Sequence, residues 1–204
     1  MKVHEIPMIN KAVKVLQKGR KMNTYELNLC GLKRELPIVR IDDDTSIASF
    51  VILGDVELVH VAAKELVKKI KDIDYIVTAE AKGIPLAFEI SRQLGMNEYI
   101  VIRKSVKTYM NDPLCEIVQS ITSRGCQHLY LDEADAQKLK GKRICIVDDV
   151  ISTGESLKAI EKLVTRAGGD IKSKVAILAE GDAAKRNDIY FLGELPLFNS
   201  EPEV

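Results

Sequence analysis

The sequence predicts an α/β protein with a doubly wound, mostly parallel sheet. Short, continuous apolar runs alternate with segments whose apolar residues recur at helical spacing. The chain of 204 residues is long enough for one domain with its own core. Because strands that are apolar along their whole length are buried on both faces, we expect helices on both sides of the sheet.

The predicted elements alternate regularly beyond the first quarter of the chain. Residues 56–71 have apolar positions at helical spacing, and Pro85 marks the start of a second helix that Gly95 ends. A third helix is predicted over residues 155–167, where two glycines close it. The predicted buried strands are 75–79, 99–102, 144–148, 174–179 and 189–192.

An N-terminal region, residues 1–55, precedes this alternation and is predicted to form a small hood over the sheet. Within it, residues 38–53 predict two short strands joined by a turn at Asp42, Asp43 and Asp44. We therefore divide the chain into this hood and a core at 56–204.

One long insertion interrupts the core at residues 103–131. It contains no convincing helical pattern, and residues 116–122 and 128–131 instead predict an antiparallel hairpin. Insertions of this length in a compact domain are usually functional lids, so we expect a flexible loop here.

Composition excludes several functional classes. Lys plus Arg and Asp plus Glu each number 30, so the net charge is zero, which argues against a dedicated nucleic-acid binder. The four cysteines form no CxxC pair, so a zinc or redox role is not indicated and buried thiols in a reducing cytosol are expected. No secretory signal or membrane span is visible, which predicts a cytoplasmic protein without a membrane partner.

Residues 144–156, ICIVDDVISTGES, carry the clearest chemical signal. A buried strand ends in Asp148 and Asp149, and a short loop rich in hydroxyls and containing Gly154 then enters a helix. Ligands of open α/β sheets bind beyond the carboxyl ends of the strands, and a helix N-terminus attracts phosphate. Two carboxylates suit a polyol, because they accept hydrogen bonds from adjacent hydroxyls. The segment therefore predicts a sugar-phosphate site.

This segment resembles the phosphoribosyl pyrophosphate (PRPP) signature of the type I phosphoribosyltransferases. Residues 79–84, AEAKGI, resemble the pyrophosphate loop of that family, and residues 103–107, RKSVK, resemble the RKxxK sequence that opens its flexible loop. The resemblance spans roughly residues 56–192 and lies nearest the adenine phosphoribosyltransferase-like purine enzymes. It implies the type I fold, PRPP and a nucleobase as substrates, Mg²⁺ bound mainly through PRPP, and a homodimer.

The resemblance also implies a role for each residue that matches a motif. Asp148 and Asp149 hold the ribose hydroxyls, and their charge favours the cationic ribosyl centre as pyrophosphate leaves. The 5′-phosphate is wrapped by Ser152, Thr153, Gly154, Glu155 and Ser156, with the Glu155 carboxylate pointing outward. The pyrophosphate is lined by Glu80, Ala81, Lys82 and Gly83. Further cations for this group come from Arg103, Lys104 and Lys107.

The nucleobase is less sharply defined. Ser152 stands where hypoxanthine–guanine enzymes usually carry Asp, so adenine is favoured, although the loop with a catalytic Glu that adenine enzymes carry is missing. Asp112 and Glu116 are the candidate general acids in the insertion. Orotate, and xanthine or another oxopurine, remain alternatives. The cations for an orotate carboxylate are Lys33, Arg34 and Arg40, and the candidates for stacking on the base are Phe191 and Phe198.

A hypothesis from a different class is a regulator of the same fold that senses PRPP and binds DNA or RNA. No helix-turn-helix pattern precedes residue 55, and the neutral charge does not favour this alternative.

Overall fold

A computed structural model describes residues 23–118 and 127–199. The first 22 residues of the predicted hood lie outside the described residues. In chain order the strands and helices are β1 (Thr24–Leu29), β2 (Leu32–Arg40), β3 (Thr45–Ala48), α1 (Val56–Val67), β4 (Tyr75–Ala79), α2 (Gly83–Gln93), β5 (Ile100–Ile102), β6 (Leu114–Val118), β7 (Gln127–Leu131), α3 (Glu133–Leu139), β8 (Arg143–Ile151), α4 (Glu155–Arg166), β9 (Asp170–Glu180), β10 (Tyr190–Leu195) and β11 (Leu197–Asn199). A short 3₁₀ helix, Gly181–Lys185, follows β9.

The central sheet has five parallel strands in the order β10-β9-β8-β4-β5. Both faces are covered, as predicted. Helices α1 and α2 and the hood bury one face in a first apolar cluster, which includes Leu58, Leu86 and Leu36. Helices α3 and α4 bury the other face in a second cluster, which includes Leu139 and Ile160. The predicted doubly wound α/β fold is confirmed.

The hood is an antiparallel sheet in the order β1-β2-β3-β11. Its β2–β3 pair forms as predicted around the aspartate turn, since Arg40 lies opposite Ser46. Strand β1 was not expected, although its leucines at 27 and 29 alternate with exposed residues. Strand β11 was also not expected in the hood, and it places Leu197 opposite Ile47. The hood sheet therefore includes chain from both sides of the core.

The insertion contains an antiparallel pair, β6 and β7, at the place of the predicted hairpin, with β6 starting two residues earlier than predicted. Residues 119–122 of the predicted first strand lie outside the described residues. Val118, Leu129 and Leu131 are buried in the second apolar cluster, so the stem of this hairpin packs against the core. Arg166, at the end of α4, donates hydrogen bonds to the carbonyl of Cys115 at 2.8 Å and to the Glu116 carboxylate at 2.6 Å. The stem is thus held by apolar burial and by polar contacts.

None of the helices among the described residues is long and apolar enough to span a membrane.

Candidate active site

The site lies at the point where the strand order of the sheet reverses, between β4 and β8. Strands β4 and β8 are neighbours, but the chain leaves β4 toward β5 on one side and leaves β8 toward β9 on the other. The loops that follow such strands diverge and open a crevice beyond their carboxyl ends. Residues 80–83 and 152–156, which sequence analysis assigns to pyrophosphate and phosphate, are these two loops.

The phosphate loop forms a small cavity at the start of α4. Gly154 adopts a left-handed conformation, with φ of 79°, and has no side chain to cap the helix, so first-turn N–H groups remain available to an anion. The cavity measures about 60 Å³ and is lined by Asp148 and the loop. One water needs about 10–15 Å³ of such space, so the cavity suits the five heavy atoms of a phosphate group.

Hydroxyl side chains line this cavity, whereas the Glu155 carboxylate pairs with Lys158. Ser152, Thr153 and Ser156 are exposed. The Glu155 carboxylate instead accepts a hydrogen bond from Lys158 Nζ at 2.7 Å, along the first turn of α4. The Thr153 hydroxyl accepts a long hydrogen bond from the Glu155 N–H at 3.4 Å, and the exposed hydroxyls of Ser152 and Ser156 face solvent.

Asp148 and Asp149 lie inside β8, which continues to Ile151, beyond the end that the sequence predicts. Asp149 is buried. The Asp148 carboxylate accepts a hydrogen bond from the Asp149 backbone N–H at 2.9 Å. Burial, and then the neighbouring Asp149 charge, raise the pKa of the Asp148 carboxyl group. The buried Asp149 Oδ2 has no hydrogen-bond partner among the described residues, although Lys82 Nζ lies 3.0 Å away. A ligand that donates hydrogen bonds would satisfy this atom.

Lys82 connects the pyrophosphate loop with the hood. Its Nζ pairs with Asp149 and donates a hydrogen bond to the Phe50 carbonyl at 3.3 Å. The peptide bond between Glu80 and Ala81, just before it, is cis. The resemblance implies that Lys82 faces pyrophosphate, whereas in the structure its ammonium group lies beside Asp149.

The Glu80 carboxylate contacts three residues of the segment that follows β5. It lies 3.0 Å from Arg103 Nη2 and 3.8 Å from Lys107 Nζ. It also accepts a hydrogen bond from the Lys104 backbone N–H at 2.8 Å. The two side-chain cations, Arg103 and Lys107, outnumber this one acid and leave a net positive charge beside the crevice.

The structure adds one acid that sequence analysis missed. Glu180 is the last residue of β9, the strand next to β8, and is partly buried. Burial raises the pKa of its carboxyl group, which the charge of Lys82 opposes. Its position at the carboxyl end of a predicted parallel strand was the available signal.

Other candidates lie elsewhere in the fold. Glu116 is bound by Arg166 at the C-terminal end of α4, and Asp112 lines a groove beside the same end. Helix α4 has 12 residues and spans roughly 16 Å, with the phosphate loop at its other end. The expectation that Asp112 or Glu116 serves as general acid is therefore not supported by their positions.

The two phenylalanines take different places. Phe191 packs on the second apolar cluster, on the face of the sheet that α4 covers. Phe198 lies in the hood with its ring 5.9 Å from that of Tyr25, in an edge-to-face arrangement.

The hood cations proposed for orotate are all engaged. Arg34 makes a two-point contact with Asp55 at 2.6 and 3.0 Å. Lys33 pairs with the Glu26 carboxylate. Arg40 donates hydrogen bonds to backbone carbonyls of the aspartate turn.

Among the residues that the structure describes, no group of three or more His, Cys, Asp or Glu side chains has the arrangement of a metal site.

A parallel sheet whose crevice joins a phosphate loop, an acid pair and a cluster of cations has the groups that suit a phosphorylated sugar. Residues 55–199 match the family model described as phosphoribosyl transferase domain. The chain therefore belongs to the phosphoribosyltransferase family.

Curated relatives named hypoxanthine/guanine phosphoribosyltransferase share substantial sequence with it. The protein from Methanococcus voltae is 36% identical over 141 residues, which cover 69% of this chain and 71% of the relative. The protein from Methanothermococcus okinawensis is 38% identical over 123 residues, covering 60% of this chain and 63% of the relative. The protein from Methanocella paludicola is 39% identical over 114 residues, covering 56% of both. The chain thus spans little more than half to about 70% of the length of these relatives.

Solved structures of adenine phosphoribosyltransferases share the fold. Those from Thermoanaerobacter pseudethanolicus and Rhodothermus marinus each align with a TM-score of 0.60 at 24% identity. They cover 70% of this chain and 84% and 82% of their own chains.

Proposed function

We propose that this protein transfers the 5-phosphoribosyl group of PRPP to a purine base and releases pyrophosphate. The observation that carries the proposal is the position of Asp148 and Asp149 between the phosphate cavity and the cation cluster around Glu80. PRPP has the same order of groups, since its ribose lies between a 5′-phosphate and a pyrophosphate.

The proposed chemistry follows from this order. The bond between ribose C1 and a pyrophosphate oxygen breaks, a nitrogen of the base forms the new bond to C1, and the proton that the base loses passes to a carboxylate, to pyrophosphate or to water. Asp148 and Asp149 accept hydrogen bonds from the ribose hydroxyls. Burial and the charge of Asp149 raise the pKa of Asp148 in the free protein, and this Asp149 charge stabilises the positive charge that develops on the ring. Arg103, Lys104 and Lys107 attract the leaving pyrophosphate.

Lys82 is expected to exchange partners when PRPP binds. The ribose hydroxyls would satisfy Asp149, which now faces the Lys82 ammonium group. Lys82 would then turn to the pyrophosphate, as its position in the loop after β4 implies.

Magnesium is expected to enter with PRPP. Mg²⁺ is usually held through substrate phosphates, waters and one or two carboxylates, and the partly unsatisfied acid pair fits this limited demand. The ion would neutralise charge on the leaving pyrophosphate.

Hypoxanthine or guanine is the first choice of base. The support is the name shared by the curated relatives above. Ser152, which stands where such enzymes usually have Asp, does not exclude this choice, because Glu180 brings another carboxyl group to the same end of the sheet. The raised pKa of the Glu180 carboxyl group suits proton exchange with the purine.

Adenine is the second candidate, favoured by the resemblance of residues 79–84 and 103–107 to the adenine enzymes. Orotate is less favoured, because its carboxylate needs a cation and Lys33, Arg34 and Arg40 already have partners.

A panel of bases tests the proposal. The protein is incubated with PRPP, Mg²⁺ and either adenine, hypoxanthine, guanine, xanthine or orotate, and pyrophosphate release is measured. We expect turnover with hypoxanthine and guanine. Asp149→Asn serves as the matched variant and should lower kcat/KM by at least about tenfold. PRPP binding without turnover of any base would instead support the regulatory alternative.

We also propose that the protein forms a homodimer through the face made by α1 and α2. Val56 is 79% exposed and Phe88 is 54% exposed beside a groove of about 480 Å³. A two-fold interface pairs a surface with itself, so apolar groups on it can bury one another. Glu89 and Arg92, which also line the groove, pair with each other at 2.7 Å and therefore leave no unpaired charge there.

A further inference from the structure

Arg186 lies against the phosphate loop, although it is 32 positions away from Gly154 in the chain. A Cβ atom added to Gly154 would stand 2.6 Å from Arg186 Nη1, so the guanidinium group lies directly against the backbone of this glycine. Arg186 is not among the residues that line the phosphate cavity, and it therefore contacts the loop from outside.

The guanidinium group has a fixed orientation. Its Nε and Nη2 donate hydrogen bonds to the two carboxylate oxygens of Asp188 at 2.9 and 2.8 Å. A carboxylate bound along this edge leaves Nη1 on the opposite edge, which faces Gly154. Nη1 donates to no acceptor among residues 23–118 and 127–199.

The segment that carries Arg186 is itself anchored. Ala183 and Ile189, on either side of it, are buried in the second apolar cluster together with Ile151 and Leu157. Asp188 is also held by Lys174 Nζ at 2.6 Å. The side chain is 25% exposed, so less of its charge is screened by water than on an open surface.

We propose that Arg186 is a positioning residue for the 5′-phosphate. It supports the loop at Gly154 from outside and directs the positive edge of its guanidinium toward the start of α4. The charge of this edge adds to that of the helix N-terminus, where the phosphate binds. The inference rests on the proposed function, because it assumes that the loop holds a phosphate.

Binding of PRPP without a nucleobase tests the inference. Calorimetry compares the unmodified protein with Arg186→Gln, Arg186→Lys and the matched control Lys185→Gln. Lys185 carries the same charge one position away and is 81% exposed, so it isolates the effect of location. We expect the Kd for PRPP to rise about fivefold to tenfold in Arg186→Gln. Arg186→Lys should recover at least half of this loss in log Kd, and Lys185→Gln should match the unmodified protein.

Kinetics separate positioning from damage to the fold. In assays with the base that the protein turns over, Arg186→Gln should raise the KM for PRPP, while kcat at saturating PRPP stays within about twofold of the parent value. An unchanged Kd in Arg186→Gln overturns the inference, and so does an equal loss in Arg186→Lys or Lys185→Gln. If the unmodified protein binds PRPP but turns over no base, the transferase proposal fails and the Kd comparison still decides the role of Arg186. If it does not bind PRPP, both proposals fail.

Discussion

Gly83 is the first residue of helix α2, and because it has no side chain the helix can begin beside Thr78 and Asp148. A Cβ atom there would collide with the buried hydroxyl of Thr78 and would lie 3.4 Å from Asp148 Oδ1. The Thr78 hydroxyl has no hydrogen-bond partner among the described residues. Helix propensity alone would favour alanine over glycine at this position by about 1 kcal/mol.

We expect Gly83→Ala to lower the free energy of unfolding by about 1–2 kcal/mol, because overpacking outweighs the gain in propensity. Urea denaturation measures the change. Thr78→Ala removes the colliding hydroxyl, so the double variant should recover most of the loss. A single variant as stable as the parent protein would contradict this account of the contact.

The raised pKa of Asp148 predicts a specific pH dependence of stability. Its ordinary value is 3.8, so between about pH 4 and the raised value the folded protein holds a proton that the unfolded chain has released. Stability must therefore decrease as pH rises through this window. Asp148→Asn cannot titrate, and its free energy of unfolding should fall less than that of the parent between about pH 5 and pH 7.5. Parallel curves for the two proteins would refute the shift.

At the scale of elements, the insertion divides into a docked stem and a segment beside the site. Leu129 in β7 is 1% exposed, whereas Ile117, in the paired strand β6, is 51% exposed. A lid that swings as a whole would have to uncover the buried residues. Among the described residues of the insertion, 104–113 lie outside this paired stem.

Two alanine variants of the hairpin test this division. Leu129→Ala should destabilise the protein by about 2–5 kcal/mol, as expected for a leucine in a packed core. Ile117→Ala should change stability by less than about 1 kcal/mol. Equal, small effects in thermal or urea unfolding would indicate that the stem is undocked in the free protein.

Helix α3 and strand β11 were not predicted, because the sequence pattern of each is too short to detect on its own. Helix α3 has 7 residues, of which only Ala136 and Leu139 are buried, so its apolar pattern is too short to detect. Strand β11 has 3 residues and is stabilised by pairing with β3, which lies far away in the sequence.

For the whole molecule, the face of α1 and α2 predicts a dimer that one substitution should dissociate. Phe88→Glu places a charge in the proposed interface, where it would be buried without a partner. Sedimentation should show a dimer for the parent protein and a monomer for the variant. Ile117→Glu, equally exposed on the opposite face of the sheet, should remain dimeric. A monomeric parent protein at micromolar concentration would contradict the interface.

The sequence by itself determined the fold class and the segments that carry the site. Buried strands, helix starts and the ICIVDDVISTGES motif depend on neighbouring residues, whose periodicity and turn chemistry are visible in one dimension. Parallel strands also place their carboxyl ends at one edge of the sheet, which is where Asp148 and Glu80 lie.

Only the tertiary structure decided the strand order, the entry of β11 into the hood and the partners of the charged groups. Lys82 faces Asp149, Glu116 faces Arg166, and Arg186 faces Gly154 because distant segments pack together. Such contacts depend on packing between elements rather than on local propensity, and a charged side chain can pair with any opposite charge within its reach. The resemblance named the cations of the crevice, but only the fold decided which acid each of them contacts.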